Sequence, residues 1–304
     1  MKFILLAAFL ACVSAAPRRA VFPRLPLSVI TSGNFDTIPE NKIVGGSEVV
    51  PNSLPFQISL QRKSGNIFSH MCGGSILDET TILNAAHCFT HLCAGSILDE
   101  STILTSAGCV ANQATRNLQV VASEHSLGTI SGEEEIRLVA SILPNAAYDA
   151  NTNERDIAIV KLSTPLVYTS KVAPVVLPPP LSELDPPAGL DVTIAGWGDT
   201  VEVNGTGSDV LISATVPIVA DDVCNLAYGG NENSTIVFPD MMCTGNSNAD
   251  ACNRDLGGPL FTGTGAEAVI HGIISFGIGC GASSYPDVYT QVSYFLDWIA
   301  ANRG

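Results

Sequence analysis

Residues 252–260 read CNRDLGGPL: Arg254 and Asp255 are followed by the apolar Leu256 and then by Gly257-Gly258-Pro259. Leu256 has neither a lone pair nor a proton to offer, so it can act as neither nucleophile nor acid. Outward from this stretch the apolar segments are short and β-branched: FQISL, NLQVVA, IRLVASIL, DIAIVKL, LDVTIAGW, VIHGIISF and DVYTQV. Gly, Pro, Asn and Asp punctuate them, which is strand-and-turn spacing rather than a strand–helix alternation. Only the end, VSYFLDWIAANRG, has helical spacing, with Phe295, Trp298 and Ile299 on one face. The pattern alone predicts a β-barrel or sandwich closed by a C-terminal helix.

The N-terminus MKFILLAAFLACVSAAP has one Lys, an apolar run and then small residues. It reads as a secretory signal peptide over residues 1–16, too short to span a bilayer. Residues 17–42 are rich in Pro and Arg without helical periodicity and read as a pro-segment. After Lys42 the chain carries 9 Lys+Arg against 27 Asp+Glu, a net charge of 9 − 27 = −18. That excludes nucleic acid and anionic membrane as expected partners. It also leaves few sites for a trypsin, which would suit a digestive lumen; plain solubility explains the charge equally well. Of nine Cys, Cys12 leaves with the signal and eight remain, an even count that reads as disulfides in a secreted chain. With no C-x-x-C pair, a zinc site is not expected.

Several separated words then resemble the trypsin-like (chymotrypsin-fold) serine peptidases, in the order of that family. They are KIVGG at 42–46, AAHC at 85–88, DIAIVKL at 156–162, GWG at 196–198, DACNRDLGGPL at 250–260, GIISFG at 272–277 and PDVYTQV at 286–292. The resemblance covers residues 43 to about 300. It implies an all-β fold of two six-stranded antiparallel barrels with a C-terminal helix and a cleft between the barrels, so 43–304 is expected to be one peptidase domain.

The resemblance also implies roles for single residues. His87 corresponds to the catalytic base, Asp156 to the carboxylate that orients it, and Ser275 to a Ser supporting that Asp. The nucleophile position holds Leu256. The oxyanion hole needs backbone N–H groups at 254 and 256, and Arg254 stands where the family has Gly, whose backbone conformation a side chain disfavours. The activation switch is kept: Lys42 precedes Ile43, and Asp255 is the partner of the amine that a cut there would free. In the specificity pocket Asp250 matches the carboxylate that attracts Lys or Arg, and Gly277 matches a Gly of the wall. Asp287 falls where most members have Gly. Asp250 and Asp287 either repel, raising one pKa, or jointly surround a cationic side chain; alternatively Asp287 is a displaced surface turn residue.

Residues 68–88, FSHMCGGSILDETTILNAAHC, are followed without a gap by 89–109, FTHLCAGSILDESTILTSAGC, with 14 of 21 positions identical. This is a tandem copy of the strand–turn–strand that ends at His87, and the second copy ends in Gly108 instead. One copy belongs in the barrel and the other is an insertion at the rim of the cleft. The preferred reading puts the first copy in the barrel, on its CGGS…AHC pattern, although Thr105-Ser106, a small hydroxylated start to the motif, favours the second. A duplication without functional consequence is the plain alternative. The expected disulfides are Cys72–Cys88, Cys93–Cys109, Cys224–Cys243 and Cys252–Cys280, three matching family bridges and one the duplicate.

Asn204 (N-G-T) and Asn233 (N-S-T) are glycosylation sequons. Glu124 and Glu134 resemble two ligands of the calcium loop of some family members, but Ser131 stands where a third carboxylate belongs, and a solvated acidic turn is the favoured reading. No metal or cofactor is therefore assigned. His70, His91, His125 and His271 show no ligand spacing and read as ordinary surface or strand residues.

The expected protein is a secreted, catalytically inactive relative, cut after Lys42 by a trypsin-like protease. It would bind a Lys- or Arg-bearing loop, as a decoy for protease inhibitors or a cofactor for active proteases. A working trypsin-like endopeptidase with an unusual site, and a relic without a role, are the alternatives.

Overall fold

The computed structural model describes residues 43, 45–63, 74–76, 82–84, 89–180, 186–199, 207–230, 236–245, 251–252, 254–280 and 285–304. In chain order the strands are β1 (Ser47–Glu48), β2 (Gln57–Lys63), β3 (Gly74–Ile76), β4 (Ile82–Asn84), β5 (Phe89–Asp99), β6 (Thr102–Thr105), β7 (Leu118–Ala122), β8 (Glu135–Pro144) and β9 (Ala158–Leu162). They continue as β10 (Asp191–Gly196), β11 (Ile212–Val219), β12 (Met241–Thr244), β13 (Pro259–Thr262), β14 (Val269–Phe276) and β15 (Asp287–Gln291). Among the described residues three short α-helices join them: α1 (Ala107–Val110), α2 (Asp221–Ala227) and the C-terminal α3 (Leu296–Arg303).

The first six-stranded barrel closes in the order β2-β5-β6-β9-β8-β7. The second runs β11-β10-β13-β14-β15-β12 and closes through β11–β12, where Val219 pairs with Cys243; β1 lies along the free edge of β11. All pairings between these strands are antiparallel. β-branched side chains suit these half-buried pleats. Ile58, Ile103, Val120 and Val160 fill the first barrel, and Val192, Ile194, Val216 and Ile274 fill the second. A third cluster draws on both: Leu98 and Leu104 meet Trp197, Phe261 and Ile273, with Phe56 edge-on to Phe261 at 5.2 Å. Helix α3 adds buried Ile299 and half-buried Trp298 to that cluster, beside Phe295.

Three of the expected disulfides lie among the described residues: Cys93–Cys109, Cys224–Cys243 and Cys252–Cys280. Cys72 and Cys88 fall outside them.

The structure corrects the preference for the first hairpin copy. Residues 89–105 supply β5 and β6 of the closed barrel, whereas β3 and β4 of the first copy form a separate two-stranded sheet. The two hairpins share a register: Ser96 faces Leu104 and Ile97 faces Ile103, as Ser75 faces Leu83 and Ile76 faces Ile82. The difference lies where the copies differ in sequence. Buried Thr105 donates its hydroxyl to the Ala94 carbonyl at 2.8 Å, and buried Ser106 caps α1 by accepting from the Cys109 N–H at 3.3 Å. The first copy has Asn84 and Ala85 at those places. It would lose the cap and bring an amide into a dry site. Ser106→Ala is therefore expected to cost about 1 kcal/mol, read in thermal denaturation as a fall of roughly 2–4 °C.

Candidate active site

Asp156 sits just before β9, where the two barrels meet, and is 2% exposed. One carboxylate oxygen accepts from the Ser275 hydroxyl of β14 and the other from the Gly108 N–H of α1, both at 2.6 Å. The Thr290 hydroxyl of β15 donates to its carbonyl at 2.7 Å. Burial raises the Asp156 pKa to about 6, against the pull of those hydrogen bonds.

Gly108 faces this carboxylate. A Cβ built on it would stand 3.4 and 3.6 Å from the Asp156 oxygens and 3.0 Å from the Tyr148 hydroxyl. A side chain at position 108 would thus reach Asp156, and the chain has none there. Tyr148 borders the space; burial first, then Asp156 and Asp149, push its phenol up to about 12, so it stays neutral. His87 lies outside the described residues.

The Asp156 carboxyl titrates higher folded than free. Its stabilising effect is present below about pH 4 and is lost as pH rises through about 6. Asp156→Asn keeps an acceptor for Gly108 and gains a donor for Ser275. It is expected to be more stable than the parent at pH 8 by on the order of 2 kcal/mol, with the gap closing toward pH 4 in paired denaturant titrations.

The loop carrying the opening stretch is pinned residue by residue. Arg254 is exposed and adopts φ +77°, so the left-handed conformation that its side chain disfavours is nonetheless taken. Its carbonyl accepts from His91 Nε2 at 3.2 Å, and its Nε lies 3.6 Å from an Asp199 carboxylate oxygen. A carbonyl only accepts, so Nε2 carries the His91 proton and Nδ1 takes the Ser59 hydroxyl at 2.7 Å. Burial holds the His91 pKa down at about 4; the bond to Arg254 opposes this and the Arg254 charge assists it. Leu256 is half-buried and packs against the apolar clusters of both barrels, while its carbonyl accepts from Ala94 N–H at 2.9 Å.

Asp255 is fully buried. Its oxygens accept from Gly198 N–H at 2.7 Å and Cys252 N–H at 3.0 Å. Only glycine leaves room for it: a Cβ on Gly196 or Gly198 would come within 2.0 or 2.2 Å of the carboxylate. Ile43 is fully buried in the second barrel's cluster, the same one Leu256 joins. Lys42 lies outside the described residues.

Gly277 and Asp287 come together. A Cβ on Gly277 would stand 2.6 Å from an Asp287 oxygen, and the other oxygen accepts from Ala251 N–H at 3.2 Å. Asp287 opens β15 opposite Thr244 of β12, so its carboxylate faces the chain around 251 and 277 rather than lying in a surface turn. Asp250, Asn204 and Asn233 are outside the described residues.

The residues at the proposed calcium loop fit the ion poorly. Both Glu134 oxygens accept from the loop's own Ser131 and Gly132 N–H groups, at 2.6 and 2.9 Å. Burial, then the Glu134 charge, raises Glu124 to about 7. Among the described residues no three His, Cys, Asp or Glu side chains gather as a metal site, and no helix is long and apolar enough to cross a membrane.

The sequence reading missed two contacts, His91 with Arg254 and Arg254 with Asp199. The repeat held one signal for the first, since His91 and its counterpart His70 both stand two residues before a Cys.

The profile of the family described as Trypsin matches residues 43–91 and 90–299, meeting where the hairpin copies join. Trypsin-1 of Astacus astacus is 34% identical over 262 residues, 86% of this chain and 99% of its own. Trypsin of Sus scrofa is 30% identical over 267 residues, 87% and 97% of the two chains. Trypsin eta of Drosophila melanogaster is 34% identical over 268 residues, 87% and 89%.

Proposed function

The chain belongs to the trypsin family of serine proteases, and from that premise we propose that it is a secreted, non-catalytic member that grips a Lys- or Arg-bearing protein loop without cutting it. The observation that carries this reading is Gly108 beside Asp156. In the hairpin that completes the barrel, no side chain stands where a base would meet the orienting carboxylate. Leu256, in the nucleophile's place by resemblance, has no proton to give up, so among the described residues neither reacting position of the triad carries a group that could react. An active-protease reading has to find both elsewhere.

The binding half of the proposal rests on the pocket. Asp287 lies against Gly277 and next to residue 251, and Asp250 precedes it in the chain. By the resemblance Asp250 belongs to the same pocket, where two carboxylates would suit a cationic side chain, and the relatives' name, trypsin, supports the same preference. A cut after Lys42 by a trypsin-like protease would free the Ile43 amine, which the resemblance pairs with buried Asp255. The signal-like N-terminus supports secretion, and the scarcity of Lys and Arg after residue 42 supports survival among trypsins. The role that follows is a decoy for protease inhibitors or a cofactor for active proteases.

Calorimetric titration with a Lys/Arg-type inhibitor loop tests this. Saturable binding is expected, with the loop recovered intact by mass spectrometry and binding weakened at least about 10-fold in Asp250→Ala, the loss of a charge-assisted contact. Binding unchanged in Asp250→Ala, or a cleaved loop, would contradict it.

A further inference from the structure

The two residues that remove the chemistry also make contacts that Gly and Ser could not make. Leu256 reaches the apolar clusters of both barrels, so its side chain fastens the loop across the cleft. Arg254 reaches Asp199 with its Nε, and its Nη1 comes within 3.1 Å of a Cβ built on Gly207. Asp199 directly follows Gly198, whose N–H holds the Asp255 carboxylate. The contacts therefore close a ring: Asp255 to Gly198, on to Asp199, across to Arg254 and back to Asp255. Gly207, beside that guanidinium, leads into Ser208, whose N–H donates to the Trp197 and Gly198 carbonyls.

None of these fastenings uses a new chain terminus. Asp255 has Gly198 N–H and Cys252 N–H as donors, the Leu256 carbonyl has Ala94 N–H, and the Arg254 carbonyl has His91. Gly257 N–H bonds the Ile274 carbonyl and Gly258 N–H the Asp255 carbonyl, each at 2.9 Å. Ile43 is buried in the second barrel's cluster, beside Leu256.

We propose that Arg254 and Leu256 together lock the 254–258 loop in its formed state, so that the pocket wall is built in the uncut chain and cleavage after Lys42 is not needed to shape it. The side chains that replaced a Gly and a Ser do the ordering that a freed amine would otherwise do. This holds whether or not the pocket takes a basic side chain.

Amide hydrogen exchange on the full chain tests it, with Lys42→Gln keeping the chain uncut. Protection at Ala94, Gly198, Gly257 and Gly258 is expected within about 3-fold of that in the Lys42-cut parent. Exchange roughly 30-fold or more faster in the uncut protein at these amides, with Val120 and Val121 unchanged, would overturn the proposal. Adding Arg254→Gly and Leu256→Ser to Lys42→Gln is expected to speed exchange at the same amides at least about 10-fold while unfolding stays cooperative. Full protection in that variant would also overturn it. Addition of p-aminobenzamidine separates the two readings: protected amides in a protein that binds none support the lock and count against the pocket.

Discussion

A protein given back its nucleophile alone, by Leu256→Ser with Arg254→Gly, is expected to leave an Arg-amide uncut. A Ser hydroxyl is a weak nucleophile until a base takes its proton. The residue beside Asp156 is Gly108, whose backbone N–H already occupies one carboxylate oxygen. Adding Gly108→His supplies the imidazole where a Cβ would stand 3.4 Å from that oxygen, and Tyr148 must move its hydroxyl a few tenths of an ångström to admit it. The triple variant is expected to exceed the double by about 10²- to 10⁴-fold in kcat, the usual contribution of a positioned base. Initial rates with an Arg-amide after cleavage at Lys42 check this. Activity in the double variant would mean that His87 reaches Asp156 after all.

The second large effect concerns the hairpin copies. Deleting 68–88 leaves all six strands of the first barrel in place, and cooperative unfolding close to that of the parent is expected. Deleting 89–109 leaves only the first copy to close the barrel. Its strands pair in the same register, so the barrel is expected to form, but Asn84 and Ala85 replace the Thr105 hydrogen bond and the Ser106 cap. Those two losses together cost about 2 kcal/mol. The same deletion brings His87 to the place of Gly108. In the Leu256→Ser, Arg254→Gly background it is therefore expected to create hydrolysis that the full-length double variant lacks. Thermal melts and rates on the two deletions decide the matter. A parent-like melt for the 89–109 deletion beside a collapsed 68–88 deletion would reverse the assignment of the copies.

Much of the fold was legible because its determinants are local. Short β-branched runs between Gly, Pro, Asn and Asp predict the strands, and the Phe295, Trp298, Ile299 face predicts the closing helix. Family words in order then supply the two barrels, which no periodicity could choose over a sandwich. The choice of hairpin was only half legible, since Thr105-Ser106 pointed to the second copy without showing what those hydroxyls bond. It rests on a hydroxyl bonded to the Ala94 carbonyl and a cap on a four-residue helix, and the competing copy carries the more conspicuous AAHC word. Arg254 was legible as a misfit but not as a tie. Its partners His91 and Asp199 lie far away in sequence and reach it only once both barrels have closed. Asp287 was ambiguous between a turn and a pocket wall because the register of β15 against β12, which turns its carboxylate toward Gly277, is a property of the closed sheet.

Under the proposed function this trypsin-family fold has kept its shape and lost its chemistry. The most direct test is turnover of an Arg-amide by the otherwise unaltered protein after cleavage at Lys42, measured with and without a fluorophosphonate. The account predicts a rate equal to the buffer background and no covalent label on the chain. Turnover above background that the fluorophosphonate abolishes, with label on a single Ser, would contradict it.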